Sequence, residues 1–154
     1  YMVLNSNNQS AASHEAFISS AIDSAGDGIV WKIVMFHHSI YSSASHSTDG
    51  DILSRRSDLY PIFDEYDIDV VLMGHDHCYT RSFMMEGGGA QSSASDTSVT
   101  NPAGTLYITA NSASGSKYYD LKDADTGYMA FRWQEKVGWF GVDATYRACG
   151  ASTR

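Results

Sequence analysis

Cysteine is scarce in this chain. Two residues in 154, Cys78 and Cys149, do not make a disulfide framework, although a pairing between them stays open. Cys78 adjoins His77, and a small His-Cys zinc site is conceivable there. Successive residues of an extended chain point to opposite sides, however, so Cys78 reads better as small apolar filling. Positive charge is scarce too: 10 Lys and Arg stand against 18 Asp and Glu, leaving a net charge of −8. Nucleic acid calls for a basic surface, so that partner is excluded. Phosphate esters are not excluded, because bound metal ions invert the local field of a site. No apolar run approaches the roughly 18–20 residues of a membrane helix, so no membrane partner is expected. No basic-then-apolar leader is found, and no repeat or heptad.

What is present suits one globular body. With 43% hydrophobic and 12% aromatic residues, the chain has material for one core and no reason for a second domain. Its most telling stretch is Val70-Val71-Leu72-Met73-Gly74-His75-Asp76-His77. The continuous apolar run reads as a strand buried on both faces. Gly74 is expected to release the chain from that strand. His75 and His77 then stand where strand ends place reactive groups, at the rim of an α/β sheet. A second β-prone run, Val30-Trp31-Lys32-Ile33-Val34-Met35-Phe36, closes on His37-His38-Ser39.

Helical segments precede both strands. Residues 10–25 carry an apolar stripe of Ala12, Ala16, Phe17, Ile18, Ala21 and Ile22, and Gly26-Asp27-Gly28 stops them. Residues 52–66 should form a second helix, interrupted or reset by Pro61, with Arg55, Arg56 and Asp58 on its solvated face. This is the βαβ rhythm of a parallel sheet, and the fold class is α/β (α+β). Neighbouring parallel strands would bring His37 beside His75 and His77 at one carboxyl edge. Neutral imidazole suits zinc, iron, manganese or nickel, so the three form a candidate metal site.

The Ser-rich segment 41–51, with His46, should form a loop over that edge. Residues 80–85 and 105–109 read as strands, and 86–101, with Gly87-Gly88-Gly89, as a flexible excursion. Residues 128–135 and 139–146 alternate like a hairpin, with Phe131, Trp133, Phe140, Val142 and Ala144 facing inward.

Two blocks carry a resemblance. Trp31-Lys32-Ile33-Val34-Met35-Phe36-His37 with Tyr41-Ser42-Ser43, and Gly74-His75-Asp76-His77-Cys78-Tyr79-Thr80-Arg81-Ser82, resemble the calcineurin-like metallophosphoesterases. The branch they are most similar to is the purple acid phosphatases and their bacterial relatives. The resemblance runs from about Tyr1 to Asp120 and implies a phosphate ester substrate hydrolysed at a centre of two divalent or trivalent ions (Fe, Zn or Mn). It places His37 and His75 on the second metal and His77 on the first, with His37 preferred over its neighbour His38. Ser39 stands where many relatives have proline. His46 matches loop histidines that contact the phosphate or protonate the leaving group, a catalytic role, and Tyr79 and Arg81 match site-supporting positions. A secreted or cell-envelope location is implied in the same way. The Tyr-x-Arg-Ser tail favours the acid-phosphatase branch over nucleotide esterases of the same superfamily.

The family's Asp-x-His, Gly-Asp and Gly-Asn-His motifs do not occur in this sequence. Tyr1-Met2-Val3-Leu4-Asn5-Ser6-Asn7 is similar to the strand that follows the Gly-Asn-His loop in relatives. The resemblance therefore implies that residues 1–154 are a single partial domain, the C-terminal half of a four-layer α-β-β-α metallophosphoesterase sandwich. The missing N-terminal half, or a second copy, is the expected partner. Three neutral histidines do not offset the repulsion of two close cations, so the isolated chain should bind at most one ion tightly and be inactive by itself. The competing reading is a non-catalytic fragment or a histidine-lined metal-binding scaffold.

Overall fold

Short apolar runs become strands and two amphipathic segments become helices, in the order that a parallel sheet requires. The computed structural model describes residues 1–91, 98–100, 102–113, 115, 117–122 and 127–134. Strand β1 (Met2–Val3) leads to helix α1 (Ala11–Ala25). Ser10 caps that helix by accepting the Ser13 backbone N–H on its hydroxyl. Gly26 ends it at φ +69°, a conformation that a β-carbon resists. A 3₁₀ turn (Gly26–Gly28) then feeds β2 (Ile33–Met35). Helix α2 (Gly50–Glu65), β3 (Val70–Met73), β4 (Tyr79–Glu86), β5 (Gly89–Ala90), β6 (Thr105–Thr109) and β7 (Met129–Trp133) follow.

The strands form one sheet in the order β1-β2-β3-β6-β4-β5, with β7 also pairing with β4. The pairs β1–β2, β2–β3 and β3–β6 are parallel, whereas β4 runs antiparallel to β5, β6 and β7. α1 and α2 are the crossovers of two successive βαβ units. The architecture is mixed α/β, as the alternation of elements implies. One core joins Ile18 of α1, Leu59, Ile62 and Phe63 of α2, and Val34, Val71, Met73 and Tyr107 of the strands.

Several local expectations are corrected. Strand β2 is shorter than the run from Val30 to Phe36. In α1 the buried positions are His14 and Ile18, while Phe17, Ala12 and Ala16 face outward. Ile18, Ala21 and Ile22 of the expected stripe do face the core. Pro61 neither breaks nor resets α2. Pro61 and Ser57 both lie on the exposed side, where water can satisfy the Ser57 carbonyl that a proline leaves without its helical donor. The buried Leu59, Ile62 and Phe63 hold the other side in place.

Arg55 is not solvated; it is 7% exposed and donates through Nε to the Ser6 carbonyl at 2.9 Å. It also pairs with Asp51 one turn earlier. Arg56 is half-buried, with its guanidinium carbon 4.8 Å and 4.9 Å from the ring centroids of Tyr41 and Tyr128. Within the excursion after β4, Gly87 and Gly88 take φ +60° and +75° in a tight turn to β5. Phe131 and Trp133 are exposed, not inward. The expected strand at 139–146, with Phe140, Val142 and Ala144, lies outside the described residues, as does Cys149.

Burial predicts a sharp contrast between two phenylalanines. Phe63→Ala, in the core, should cost about 3–5 kcal/mol, whereas Phe17→Ala, on the outer side of α1, should stay within about 0.5 kcal/mol. Chemical denaturation of the two variants checks this, and equal losses would contradict the core described above.

Candidate functional site

The ladder between β2 and β3 continues past both strand ends. Phe36 N–H donates to Leu72 O at 3.2 Å, and Gly74 N–H donates to His37 O at 3.1 Å. That second bond sets His37 beside the loop that begins at Gly74. Asp76 N–H then closes on Gly74 O, and Cys78 N–H on Asp76 O, both at 2.8 Å. The two histidines are therefore the central residues of consecutive three-residue turns. His75 carries the strained sense, with φ +67°. The left-handed residue is thus His75 and not Gly74, whose φ is not positive. A β-carbon at Gly74 would make only ordinary contacts with His37, at 3.7 Å and 3.8 Å.

The turns bring His75 Nδ1 to 3.2 Å from His37 Nε2. Two nitrogens that each sit about 2.0–2.1 Å from one tetrahedral ion lie about 3.3 Å apart, so this spacing suits two donors to a shared ion. Two further rings flank the pair, and a tyrosine lies beyond them. His38 lies 5.0 Å and His46 4.5 Å from His75 between centroids. Tyr119 packs 5.5 Å from His46 and 4.9 Å from His77.

His77 is held differently from the other candidates. Its Nδ1 lies 3.0 Å from the Lys117 carbonyl, and its own carbonyl accepts the Tyr119 N–H at 3.0 Å. No ring contact joins it to His37 or His75 among the described residues, and Tyr119 contacts both it and His46. Nor do three or more His, Cys, Asp or Glu side chains form a metal-holding group among the described residues. The side chains present therefore fit two nitrogen donors of a metal centre and leave its other donors unassigned.

Burial is the main influence that holds His75 below the ordinary histidine range, followed by the neighbouring His46 and His37. For His38, burial again comes first and the Arg55 charge second. Both effects favour neutral rings, the state in which a histidine can offer a lone pair.

Asp76 and Asp49 are the residues that the histidine pattern conceals. Asp76 is 1% exposed; one carboxylate oxygen accepts the Ser42 hydroxyl at 2.6 Å and the other accepts the His46 N–H at 3.1 Å. It ties the His46 loop to the turn that carries both histidines. Asp49 occupies the N-cap position of α2 but makes no side-chain cap there. Its carboxylate instead meets His46 Nδ1 at 2.7 Å. An aspartate between two histidines and another at a helix start were the available signals.

The loop over the edge is well anchored. Tyr41, Ser42, Ser43, Ala44 and Ser47 are buried, and Tyr128 donates its hydroxyl to Ser42 O at 2.7 Å. Lys122 clasps the same loop through its N–H to Ser43 O at 2.7 Å and its Nζ to Ser45 O at 2.6 Å. Burial pushes the Tyr41 hydroxyl up to about 12. It likewise pushes the Cys78 thiol up to about 11, even though Ser42 Oγ lies 3.6 Å away. Tyr79 packs on Phe131 with centroids 5.9 Å apart, on the strand that follows the histidine turns.

The calcineurin-like phosphoesterase family profile matches residues 3–79, half of the 154-residue chain. That match spans both strand ends and every candidate histidine. The chain belongs to this family. It is 31% identical to purple acid phosphatase 17 of Arabidopsis thaliana over 110 residues, which cover 66% of the chain and 28% of that relative. Purple acid phosphatase 3 of the same plant is 35% identical over 69 residues, 40% of the chain and 18% of the relative. An uncharacterized Mycobacterium tuberculosis protein is 37% identical over 59 residues, 38% of the chain and 11% of that protein. The fold is similar to that of a purple acid phosphatase from yellow lupin (Lupinus luteus) seeds, with a TM-score of 0.59 at 16% identity. That alignment covers 84% of the chain and 24% of the lupin enzyme, so the metallophosphoesterase sandwich is shared at the level of fold. The chain thus spans between 11% and 28% of the length of these relatives.

Two outcomes follow from the histidine turns. His75→Gly should be more stable than His75→Ala by about 1 kcal/mol, because glycine accepts the positive φ without strain; thermal unfolding of the pair decides it. In a Cys149→Ser background, Cys78 should react with a thiol reagent at pH 8 at least roughly 100-fold more slowly in the folded chain than in denaturant, since the thiolate is the nucleophile. Because the folded value lies above the ordinary 9.0, the protonated thiol favours the fold below about pH 9, and that contribution is lost as pH rises toward 11.

Proposed function

We propose that this chain supplies the histidine face of a metal-dependent phosphoester hydrolase whose centre is completed by donors from outside residues 1–154. The observation that carries the reading is the approach of His37 Nε2 and His75 Nδ1 to 3.2 Å at the carboxyl edge of two parallel strands. His37 and His75 would hold one ion, and His77 would serve its neighbour. A pair of Fe, Zn or Mn ions would supply Lewis acidity, an activated water and a clamp on the phosphoryl oxygens. His46, set by Asp49 on one nitrogen and by Asp76 through its backbone, is the proton donor to the leaving alcohol.

Charge explains why the centre is shared. An imidazole that ligates a metal brings no negative charge, and the nearby carboxylates have other work: Asp76 holds Ser42 and the His46 backbone, and Asp49 holds the His46 ring. Bridging two cations about 3.5–4 Å apart calls for anionic ligands that these residues do not offer. We therefore read residues 1–154 as one partial domain, completed by a missing N-terminal half or by a second copy. An open sheet edge supports this, since β1 is an outermost strand and its Val3 is 65% exposed. Phosphate esters as substrate, and a secreted or cell-envelope location, belong to the same proposal and rest on the family. No helix among the described residues is long and apolar enough to cross a membrane.

The second reading, a non-catalytic fragment or bare histidine-lined scaffold, draws on the lack of a three-residue metal group among the described residues. Elemental analysis with nitrophenyl phosphate turnover separates the two. The chain alone should retain at most one ion and turn over negligibly, and His75→Ala should release that ion while His46→Ala retains it. In the completed protein, His46→Ala should slow turnover by about 10²–10⁴ with metal content unchanged. Ordinary enzyme rates from residues 1–154 alone would overturn the shared-centre reading, and a chain that takes up no ion would favour the scaffold.

A further inference from the structure

His38 lies at the edge of the cluster, and the reading above gives it no task. Its surroundings are built with care. Ser6 Oγ accepts the His38 backbone N–H at 3.3 Å and lies 2.8 Å from His38 Nδ1. Ser6 is 5% exposed, and its carbonyl accepts Arg55 Nε at 2.9 Å. Arg55, itself 7% exposed and paired with Asp51, therefore locks the segment that carries Ser6. The Ser6 hydroxyl proton needs an acceptor, and among the described residues His38 Nδ1 is the one the hydrogen bonds provide. If Nδ1 accepts, the neutral ring carries its proton on Nε2. The ring is half-buried, with its centroid 5.0 Å from that of His75 and 5.4 Å from that of His37.

We propose that His38 is a substrate-binding residue, its Nε2–H held by Ser6 to donate a hydrogen bond to an anionic phosphoryl oxygen at the His37–His75 corner. A nitrogen that carries its proton has no lone pair for a metal, so His38 differs in kind from His37 despite their adjacency. Ser6 and Arg55 are positioning residues that act through it. The proposal rests on the hydrolase reading for the identity of the anion.

The test uses the full chain labelled with ¹⁵N-histidine. Long-range ¹H–¹⁵N correlation should show His38 protonated on Nε2 and bare on Nδ1, with the Nε2–H resonance shifting on addition of inorganic phosphate. Affinity for inorganic phosphate, measured by calorimetry with zinc present, should fall about tenfold in His38→Ala, the loss of one hydrogen bond to a charged group. Zinc stoichiometry should stay unchanged in that variant. His38→Gln, which keeps an N–H donor, should recover part of the loss. Ser6→Ala should weaken phosphate binding and blur the tautomer, and Ser6→Thr should restore both. A proton on Nδ1, zinc lost with His38, or phosphate binding that is absent or indifferent to these variants each overturns the proposal. Tautomer and phosphate affinity are also read without zinc, so a chain that binds no ion counts against the hydrolase centre separately from His38.

Discussion

The backbone pairing of β2 with β3 is the constraint on which the site depends. Because the ladder runs on through Phe36 to Leu72 and through Gly74 to His37, two segments far apart in sequence end at one height. The parallel register allows no slip without turning buried Val34 and Val71 out of the core, so burial enforces the alignment of His37 with His75. The strained turn at His75 then aims one ring at the other. Hydrophobic packing and one unfavourable dihedral together bring two ring nitrogens to 3.2 Å of each other.

Carboxylates do a different job here from the one their charge suggests. Asp76 is buried between the histidine turn and the His46 loop, and its two oxygens hold those segments together. Asp49 gives up capping α2 to hold the His46 ring. Arg55 and Ser6 perform the same service for His38. The cluster is thus a set of imidazoles oriented by acidic, hydroxyl and guanidinium groups behind them.

Much of this is legible in the sequence. The apolar runs that end in His37 and in Gly74-His75-Asp76-His77 announced two buried strands, and the intervening helical segments announced a parallel order. Thr105–Thr109 was recognisable as a strand from its composition. The solvated face assigned to Arg55 and Arg56 was not correct, because arginine's long stem and five donors suit burial against carbonyls and rings as well as solvent. Pro61 reads as a break from local chemistry alone, yet the buried face of α2 outweighs one missing hydrogen bond. The inward roles given to Phe131 and Trp133 also failed, since alternation reports two faces without saying which one meets the core.

Sequence by itself determined the family, the helix and strand order and the candidate histidines, because buried strands need apolar runs and metals need particular donor types. Tertiary structure alone decided which nitrogens face each other, that His75 and not Gly74 takes the left-handed turn, and that Asp76 joins the two loops. It also set Tyr119 in ring contact with both His46 and His77. Those outcomes depend on distances between segments tens of residues apart, set by sheet register and packing, and no local pattern of residues encodes a distance of that kind.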